Sequence, residues 1–475
     1  MVRLPISARF LSVGRVAATA LGLTAGAAGL QTASAQLTLA DALRQADRAA
    51  YGNRIATAET AAQTARSITP LKGIVPTVHF EAGYVRTTDP IGVFGSTLRQ
   101  RSVSQENFDP QRLNYPDALA NHQGAVVIEQ PLLNADAWIG RRSAAYAADA
   151  SRASEEWTKM SIRVDVVRAY YGSVLADERA STLRSAARAA HAHVSEAEAL
   201  VRQGIATKSD ALLASVRAGE IDAQLAEAEG AVATTRRGLA VLLGQSGTSV
   251  RAPVISSAAL PSADRIRAVV SEDTADILPS QRADVQAALS GFDAARANAK
   301  GARSLIMPRV NSFARYDWNS ADRVFTGDRN WTIGIMATWT PFTNPADISD
   351  MRDANARGDV ARAQAEAAEA NARLELDQTR TALQVALARL SIAERAVAQS
   401  AEAHRIVGRK YEGGLAQVVE LLDAQAVETQ SAVNFSHARW SAIVAAAERR
   451  RALGRDPGYL EALDEPTSRS TSERD

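Results

Sequence analysis

The residues able to perform chemistry form no catalytic pattern. His191 and His193 stand two positions apart in a helical sequence, where such side chains point in different directions and do not share a metal ion. Neighbouring acids such as Glu155 and Glu156 lie in charged helical stretches and are interpreted as solvated surface. The chain contains no Walker loop for phosphate, no Gly-x-Ser-x-Gly elbow and no His-Glu-x-x-His. We therefore predict a protein that is not an enzyme and that uses no cofactor or metal ion.

The composition of the 475-residue chain removes further classes of protein. The absence of cysteine excludes a disulfide scaffold, a thiolate metal site and a lipid anchor on an N-terminal cysteine. The 54 basic and 53 acidic residues nearly cancel, which argues against a nucleic-acid partner. Aromatic residues make up only 5% of the chain while alanine and arginine are abundant, a composition typical of extended helix packing.

The first 35 residues have the pattern of a secretory signal peptide. Three arginines precede an apolar stretch from Val16 to Leu30, and the small-x-small triplet 33–35 follows it. This apolar stretch is shorter than the ~20 residues that a helix needs to cross a bilayer, and no later segment is long and apolar enough. We expect cleavage after Ala35 and an exported protein without a transmembrane helix.

The remaining sequence is predicted to be an internal duplication. A constant offset of 210 residues relates matching prolines and glycines, namely Pro131 and Pro341, Gly204 and Gly414, and Gly244 and Gly454. Upstream of the first pair the offset becomes 232, as for Tyr84 and Tyr316. The first copy therefore carries an insertion of about 22 residues, and a fixed offset of this kind is the signature of a repeated unit.

Each copy is predicted to contain a helix, two strands, a very long helix, a glycine turn and a shorter return helix, which makes the fold mainly α with a small β part. In the first copy, residues 36–244, the elements are predicted at 38–68, 76–88, 123–130, 134–203 and 208–243. In the second copy, residues 280–454, they are predicted at 280–303, 308–318, 331–340, 345–412 and 416–453. The segment 89–121 is predicted to be a surface loop, 245–279 an irregular linker and 455–475 a polar, disordered tail.

The long helices are predicted to form antiparallel coiled-coil hairpins. A helix of some 70 residues is ~105 Å long, which exceeds any single globular core. In the second copy Leu376, Leu383, Leu390 and Val397 recur every seven residues, which is the spacing of a coiled-coil seam. Both long helices end at glycine, the residue that most readily terminates a helix.

The strands alternate apolar and polar residues and carry aromatic residues near their ends. Candidate membrane-interface aromatics are Tyr84, Tyr316, Trp318, Trp331 and Trp339. Two interpretations remain open at this point, a membrane barrel and a soluble two-stranded ribbon. If the strands cross lipid, four of them cannot close a barrel, whereas three chains supply twelve, an even number within the known range.

The duplicated order resembles the TolC-like outer-membrane efflux proteins. The segments that carry the resemblance are Gln36–Leu43 (QLTLADAL), Gln130–Leu133 (QPLL) and the paired turns Gly204–Asp210 and Gly414–Ala424. The resemblance covers nearly all of 36–454 and implies a homotrimer, with a 12-stranded barrel in outer-membrane lipid continuous with a periplasmic α-barrel. It also implies two partners, a periplasmic adaptor and an inner-membrane pump, with the adaptor docking at turns that contain Gly204, Ser209, Gly413 and Gly414.

The resemblance further assigns residues to the periplasmic aperture. Glu420 and Asp423 match an acidic ring, although acids in the first turn of a helix also interact favourably with the helix dipole. Asp210 and Tyr411 match positions that hold the resting aperture shut. The arginine that completes this link in the best-known member falls at Ala416, so we expect a less firmly latched aperture, or a link made instead by Arg409 or Lys208.

Two other classes of protein remain as alternatives, a periplasmic adaptor and a coiled-coil structural protein. An adaptor is expected to have one helical hairpin within β modules rather than two copies flanked by strand pairs. The cargo stays open, because drug efflux, metal export and type I protein secretion use similar ducts.

Overall fold

The computed structural model describes residues 36–245, 253–256, 259–271, 278–304, 306–341 and 344–464. The predicted signal peptide, the end of the predicted tail and parts of the predicted linker lie outside these residues. The helices are α1 Leu39–Ala49, α2 Tyr51–Arg66, α3 Pro90–Arg99, α4 Pro110–Asn114, α5 Ala135–Arg202, α6 Lys208–Leu242, α7 Ala263–Ser271, α8 Ala283–Ser304, α9 Pro345–Glu412 and α10 Val418–Ala452. The strands are β1 Thr77–Thr87, β2 Leu119–Leu133, β3 Arg309–Ser320 and β4 Asp328–Thr338.

Two helical hairpins of equal size dominate the fold. Helices α5 and α9 each have 68 residues, and their return helices α6 and α10 each have 35. Each hairpin turns at a glycine in the left-handed region, Gly204 at φ 76° and Gly414 at φ 72°, a conformation that costs glycine little. The bounds of the two hairpins differ by 210 residues at every helix end, as the repeat in the sequence predicts.

The four strands form one antiparallel sheet in the order β1-β2-β3-β4. The register aligns Val78 with Ile128, Ile128 with Ala314, and Ala314 with Ile333, so one level runs across all four strands. Strands β1 and β4 are the two edges of this sheet. Backbone N–H and C=O groups on the outer side of each edge strand therefore have no ladder partner within the described chain.

The main core lies where the hairpins meet the N- and C-terminal segments. Buried side chains from α1, α5, α7 and α10 come together there, with a short 3₁₀ segment at Pro457–Leu463. Tyr170 and Tyr171 are fully buried and stack edge to face at 5.2 Å between ring centroids. Further along the hairpins the buried residues are mostly small, which lets the helices approach closely.

Three predicted elements of the first copy differ from the structure. The helix predicted over 38–68 breaks at Ala50, whose ψ of 132° is extended and separates α1 from α2. The strand predicted over 123–130 continues through Pro131 to Leu133, with a register shift where proline supplies no N–H to the ladder. The loop predicted over 89–121 contains α3 and α4, and each begins with an Asp-Pro pair in which the aspartate caps the helix.

The predicted linker and tail also differ from the structure. The linker 245–279 contains α7, and its residue Ile255 forms a parallel bridge with Leu37. The tail 455–475 is wrong as a fully disordered segment, because Leu460 and Leu463 of the 3₁₀ segment are buried in the main core. None of the described helices is long and apolar enough to cross a membrane.

Candidate functional site

One face of the sheet is apolar and exposed. Since directly paired residues share a face, the register puts alternate residues of all four strands on the same surface. Exposed apolar side chains on this face include Phe80 at 72% and Ile333 and Ile335 at 71% each. An exposed apolar patch of this kind in a folded protein marks an interaction surface.

The opposite face of the sheet is polar and internally paired. Arg315 donates to Glu81 at 2.7 Å and to Asp317 at 2.5 Å, which joins β3 to β1 across the sheet. Nearer the strand ends, Asn121 donates to Asn319 at 2.9 Å. The sheet therefore separates an apolar surface from a hydrophilic one, as the wall of an aqueous channel in lipid requires.

The four predicted interface aromatics that lie within strands are all on the apolar side of the sheet. Tyr84, Tyr316, Trp318 and Trp331 cluster towards the ends of β1 and β3 and the start of β4, where Trp318 stacks edge to face on Tyr316 at 4.8 Å. Trp339 follows the other end of β4, eight residues from Trp331 and thus ~26 Å away along the strand. This spacing is close to the ~25 Å apolar band of outer-membrane barrels.

The segment between β1 and β2 folds towards the polar face. Gln100 donates to the side chain of Asn121 at 2.9 Å, and Asn121 lies on that face. Arg101 donates to the carbonyl oxygen of Arg329 at 3.3 Å, which ties the same segment to β4. The predicted surface loop therefore spans the sheet at the strand ends remote from the hairpins.

At the hairpin tips, two of the predicted aperture acids cap the return helices. The carboxylate of Asp210 accepts from the N–H of Thr207 at 3.0 Å and from its hydroxyl at 2.8 Å. Glu420 accepts from the N–H of Gln417 at 3.5 Å in the matching capping box of the second hairpin. Both acids thus have a structural role in the isolated chain, and Glu420 remains exposed.

Tyr411 packs at the junction of the two hairpins. Its ring lies against a small buried cluster that contains Ala197, Ala214 and Leu422. Burial raises the pKa of the Tyr411 hydroxyl, and the negative charges of Glu196 and Asp210 raise it further. The structure thus brings Tyr411 near Asp210, as the predicted aperture pair requires, without a direct hydrogen bond between them among the described contacts.

Asp423 faces a cation that the sequence reasoning missed. The guanidinium of Arg217 lies 3.8 Å from the Asp423 carboxylate and also donates to Glu220 at 2.9 Å. Arg409 and Lys208, the expected substitutes for the absent arginine, form no ion pair among the described residues. Arg217 lies nine residues after the start of α6 and Asp423 five residues after the start of α10, so the spacing from the tips gives no signal of this pair in the sequence.

The predicted docking turns are exposed at both tips. Gly204, Ser209, Gly413 and Gly414 are all solvent-accessible. Beside them, the matching residues Ile205 and Leu415 are 71% and 82% exposed. Each tip therefore presents one apolar side chain on a glycine turn.

The family model of the outer membrane efflux protein matches residues 76–245 and 276–455, well over half of the chain. The chain belongs to the outer membrane efflux protein family. The predicted family is thereby confirmed, and the two matched segments follow the two copies of the repeat. Members of this family are non-enzymatic conduits, so the efflux protein is an outer-membrane channel that extends into the periplasm and not an enzyme.

Several solved structures share this fold and align with most of the efflux protein. A membrane protein from Pseudomonas aeruginosa matches with a TM-score of 0.75 and 20% identity over 88% of this chain and 93% of its own. The CmeC outer membrane channel of Campylobacter jejuni matches at 0.73 and 16% identity, covering 88% and 85%. The outer membrane protein VceC of Vibrio cholerae matches at 0.70 and 20% identity, covering 88% and 96%. The comparison with curated proteins gave no significant match.

Proposed function

We propose that three copies of the efflux protein form a 12-stranded β-barrel in the outer membrane, continuous with a periplasmic α-helical tunnel. This trimer is the exit duct of a tripartite system, and it receives cargo from an inner-membrane pump through a periplasmic adaptor. The observation that carries the proposal is the sheet, which has an apolar face, a polar face and two unpaired edges. Closure between β4 of one copy and β1 of the next gives every edge group a partner, as a hydrocarbon environment demands.

The orientation follows from the chain path. The helices α2 and α8 precede β1 and β3, while α5 and α9 follow β2 and β4, so all four connect to the same end of the sheet. The hairpins therefore extend into the periplasm, and the segment that contains α3 and α4 lies at the cell exterior. There it constricts the outer mouth from the polar side, since it contacts Asn121 and the backbone of β4.

The periplasmic aperture is formed by the hairpin tips of the three copies. Threefold symmetry brings six carboxylates, from Glu420 and Asp423, around one axis and favours the passage of cations. Asp210 and Tyr411 belong to the contacts that keep the tips together at rest. With alanine at 416 and a half-exposed pair at Arg217 and Asp423, the resting aperture is weakly latched.

Adaptor docking is assigned to the exposed turns. Ile205 and Leu415 supply apolar contacts, and the adjacent glycines allow a partner backbone to approach closely. A double substitution, Ile205→Asp with Leu415→Asp, is expected to abolish adaptor crosslinking and to leave trimer formation intact. If the double variant lost trimer formation together with adaptor crosslinking, these side chains would instead have a role in folding.

The absence of native cysteine makes the edge pairing directly testable. Cysteines are placed on the polar face of the two edge strands, at Gly83 in β1 combined with Asn330 or Thr332 in β4. Oxidation is expected to link different chains and to give a covalent trimer on denaturing gels. The matched control places cysteines at Gln123 and Asn319, which are register partners within one chain and are expected to give no species larger than a monomer.

Cell fractionation tests the location in the same strains. We expect a trimer in the outer-membrane fraction that migrates as a monomer only after heating. Recovery of the chain as a monomer in the soluble periplasm would refute the channel and favour the adaptor or the structural protein.

A further inference from the structure

A groove runs along the outside of the first hairpin, just below the sheet. It lies between the start of α5 and the end of α8 and encloses about 380 Å³. The lining residues that matter are two aromatic, three basic and one acidic, namely Trp138, Tyr146, Arg142, Arg296, Lys300 and Asp293.

The groove opens on the same side as the apolar face of the sheet. Asp136, in the first turn of α5, accepts from Arg309 at 2.8 Å, and the register puts Arg309 on the polar face. Trp138 follows two positions later, which is ~200° further around the helix. Trp138 therefore points away from the polar side and is 55% exposed, and Arg142 lies on the same stripe one turn further on.

The cations of the groove have no carboxylate partner. Arg142, Arg296 and Lys300 form no ion pair with any described residue, although many other arginines of the chain do. Asp293, the one acid in the lining, is likewise unpaired, so the lining carries three positive charges against one negative. The Arg142 guanidinium lies 5.9 Å from the centre of the Tyr146 ring, which holds it towards the groove.

In the proposed barrel, the groove lies at the level of the membrane surface. Since α5 begins directly after β2, Trp138 is ~5 Å and Tyr146 ~17 Å below the start of the helix. The exposed Leu132 and Leu133 at the end of β2 continue the apolar surface down to Trp138. Because β2 and β3 are the two inner strands of the sheet, the groove lies inside one chain and away from both edges, where neighbouring copies would pair.

We propose that this groove binds the phosphate of an anionic glycerophospholipid in the inner leaflet of the outer membrane. Arg142, Arg296 and Lys300 contact the phosphate, and Trp138 lies beside the glycerol and the first methylenes of the acyl chain. Exposed tryptophan at an interface and basic pockets beside membrane-spanning segments are the groups that recognise anionic headgroups. The inference rests on the proposed barrel and its orientation in the membrane.

The test measures lipid retained by the efflux protein after mild detergent extraction from the outer membrane. Native mass spectrometry counts phosphatidylglycerol per chain in the wild type and in a triple variant, Arg142→Gln with Arg296→Gln and Lys300→Gln. The matched control removes the same number of charges from exposed positions far down the hairpins, Arg188→Gln with Arg202→Gln and Arg237→Gln. A second series titrates each delipidated protein with phosphatidylglycerol, with neutral phosphatidylcholine and with inorganic phosphate.

At ~1 kcal/mol for each basic residue near a membrane surface, the triple variant is expected to bind phosphatidylglycerol roughly 100-fold more weakly. The control variant is expected to match the wild type, and phosphatidylcholine is expected to bind weakly to all three. Equal retention by the triple and control variants would overturn the proposal. It would also be overturned if inorganic phosphate bound as tightly as the lipid, because the groove would then be a free-anion site.

Failure of the lipid site can be distinguished from failure of the proposed channel. The lipid count is made per chain and is interpreted only for variants that reach the outer membrane as heat-modifiable trimers. A wild type that forms such trimers and retains no anionic lipid refutes the groove alone. A wild type that forms no trimer refutes the proposed function first.

Discussion

Removal of the Asp464 carboxylate is the sharpest test of the fold, because sequence reasoning assigned this residue to a disordered tail. Its carboxylate accepts from the hydroxyl of Tyr171 at 3.1 Å, from the hydroxyl of Tyr170 at 2.9 Å and from the N–H of Leu39 at 3.1 Å. Burial, and then the charge of Asp464, raise the pKa of the Tyr171 hydroxyl, which therefore stays protonated and able to donate. One side chain thus joins the C-terminal segment to α5 and to the start of α1.

The size of the effect follows from the groups left without partners. In Asp464→Ala, Tyr170 keeps the carbonyl oxygen of Leu37 at 3.3 Å as an acceptor. The buried hydroxyl of Tyr171 and the N–H of Leu39 lose their acceptor, since no other described partner exists for either. At ~1.5–3 kcal/mol for each hydrogen bond to a charged group, the variant is expected to lose ~3–6 kcal/mol of stability.

The assay compares urea unfolding of the purified protein in detergent, read from circular dichroism and from trimer loss on gels. The shift in midpoint is converted with the wild-type slope, provided that the slope itself is unchanged. The control is Glu461→Ala in the same 3₁₀ segment. The side chain of Glu461 makes no described hydrogen bond, and burial raises its pKa, so its removal is expected to change stability by less than ~0.5 kcal/mol. An Asp464→Ala midpoint equal to that of the control would refute the role of the C-terminal segment.

Three further predictions concern conduction and the barrel. Asp423→Asn is expected to lower the cation-to-anion permeability ratio of trimers in planar bilayers, because it removes three negative charges from the aperture. The ratio is read from the reversal potential, and an unchanged ratio would contradict the acidic ring. Replacement of residues 90–117 by a short glycine turn is expected to raise single-channel conductance, and equal conductance would show that this segment does not constrict the mouth. Gly124→Val is expected to cost ~1–3 kcal/mol and to lower the temperature at which trimers dissociate, because an added Cβ would meet the Phe325 ring at 2.5 Å. Gly95→Val, in α3 and outside the edge strands, where nothing lies within 4 Å, serves as its control.

The hairpins were the most predictable part of the fold. Glycine and proline residues mark the helix ends, and the sequence predicts a helix over 345–412 where the structure has Pro345–Glu412. The duplication supplied a second, independent view of each element, so that a weak signal in one copy was supported by the other. The strands are predicted for the same reason, although their ends are less accurate, because the apolar alternation is lost at polar strand ends such as residues 328–330 of β4.

The parts that could not be predicted depend on contacts between distant segments. Leu460 and Leu463 are buried only because α1, α7 and α10 leave a space for them, and a short polar sequence near the chain end gives no sign of that space. The outward direction of Trp138 follows from the ion pair of Asp136 with Arg309, which lies 173 residues away. Such pairings become visible only when the sheet register is known.

The hairpin tips show how the two copies differ in a complementary way. By the 210-residue offset, Arg217 corresponds to Val427, and Asp423 corresponds to Leu213, so each hairpin carries one member of the ion pair and an apolar residue at the other position. The pair can therefore form only between unlike hairpins, and in this structure it forms within one chain.

In the proposed trimer, six hairpins alternate around the axis and create two kinds of seam, one within chains and one between chains. The pair of Arg217 and Asp423 belongs to the seam within chains, and at 3.8 Å between half-exposed groups it stabilises that seam only weakly. The link between chains that the family resemblance implies would lack its arginine, because residue 416 is alanine. Opening is therefore expected to begin at the seam between chains, because that seam lacks an ion pair of this kind. The two hairpins of each chain are then expected to move as one unit.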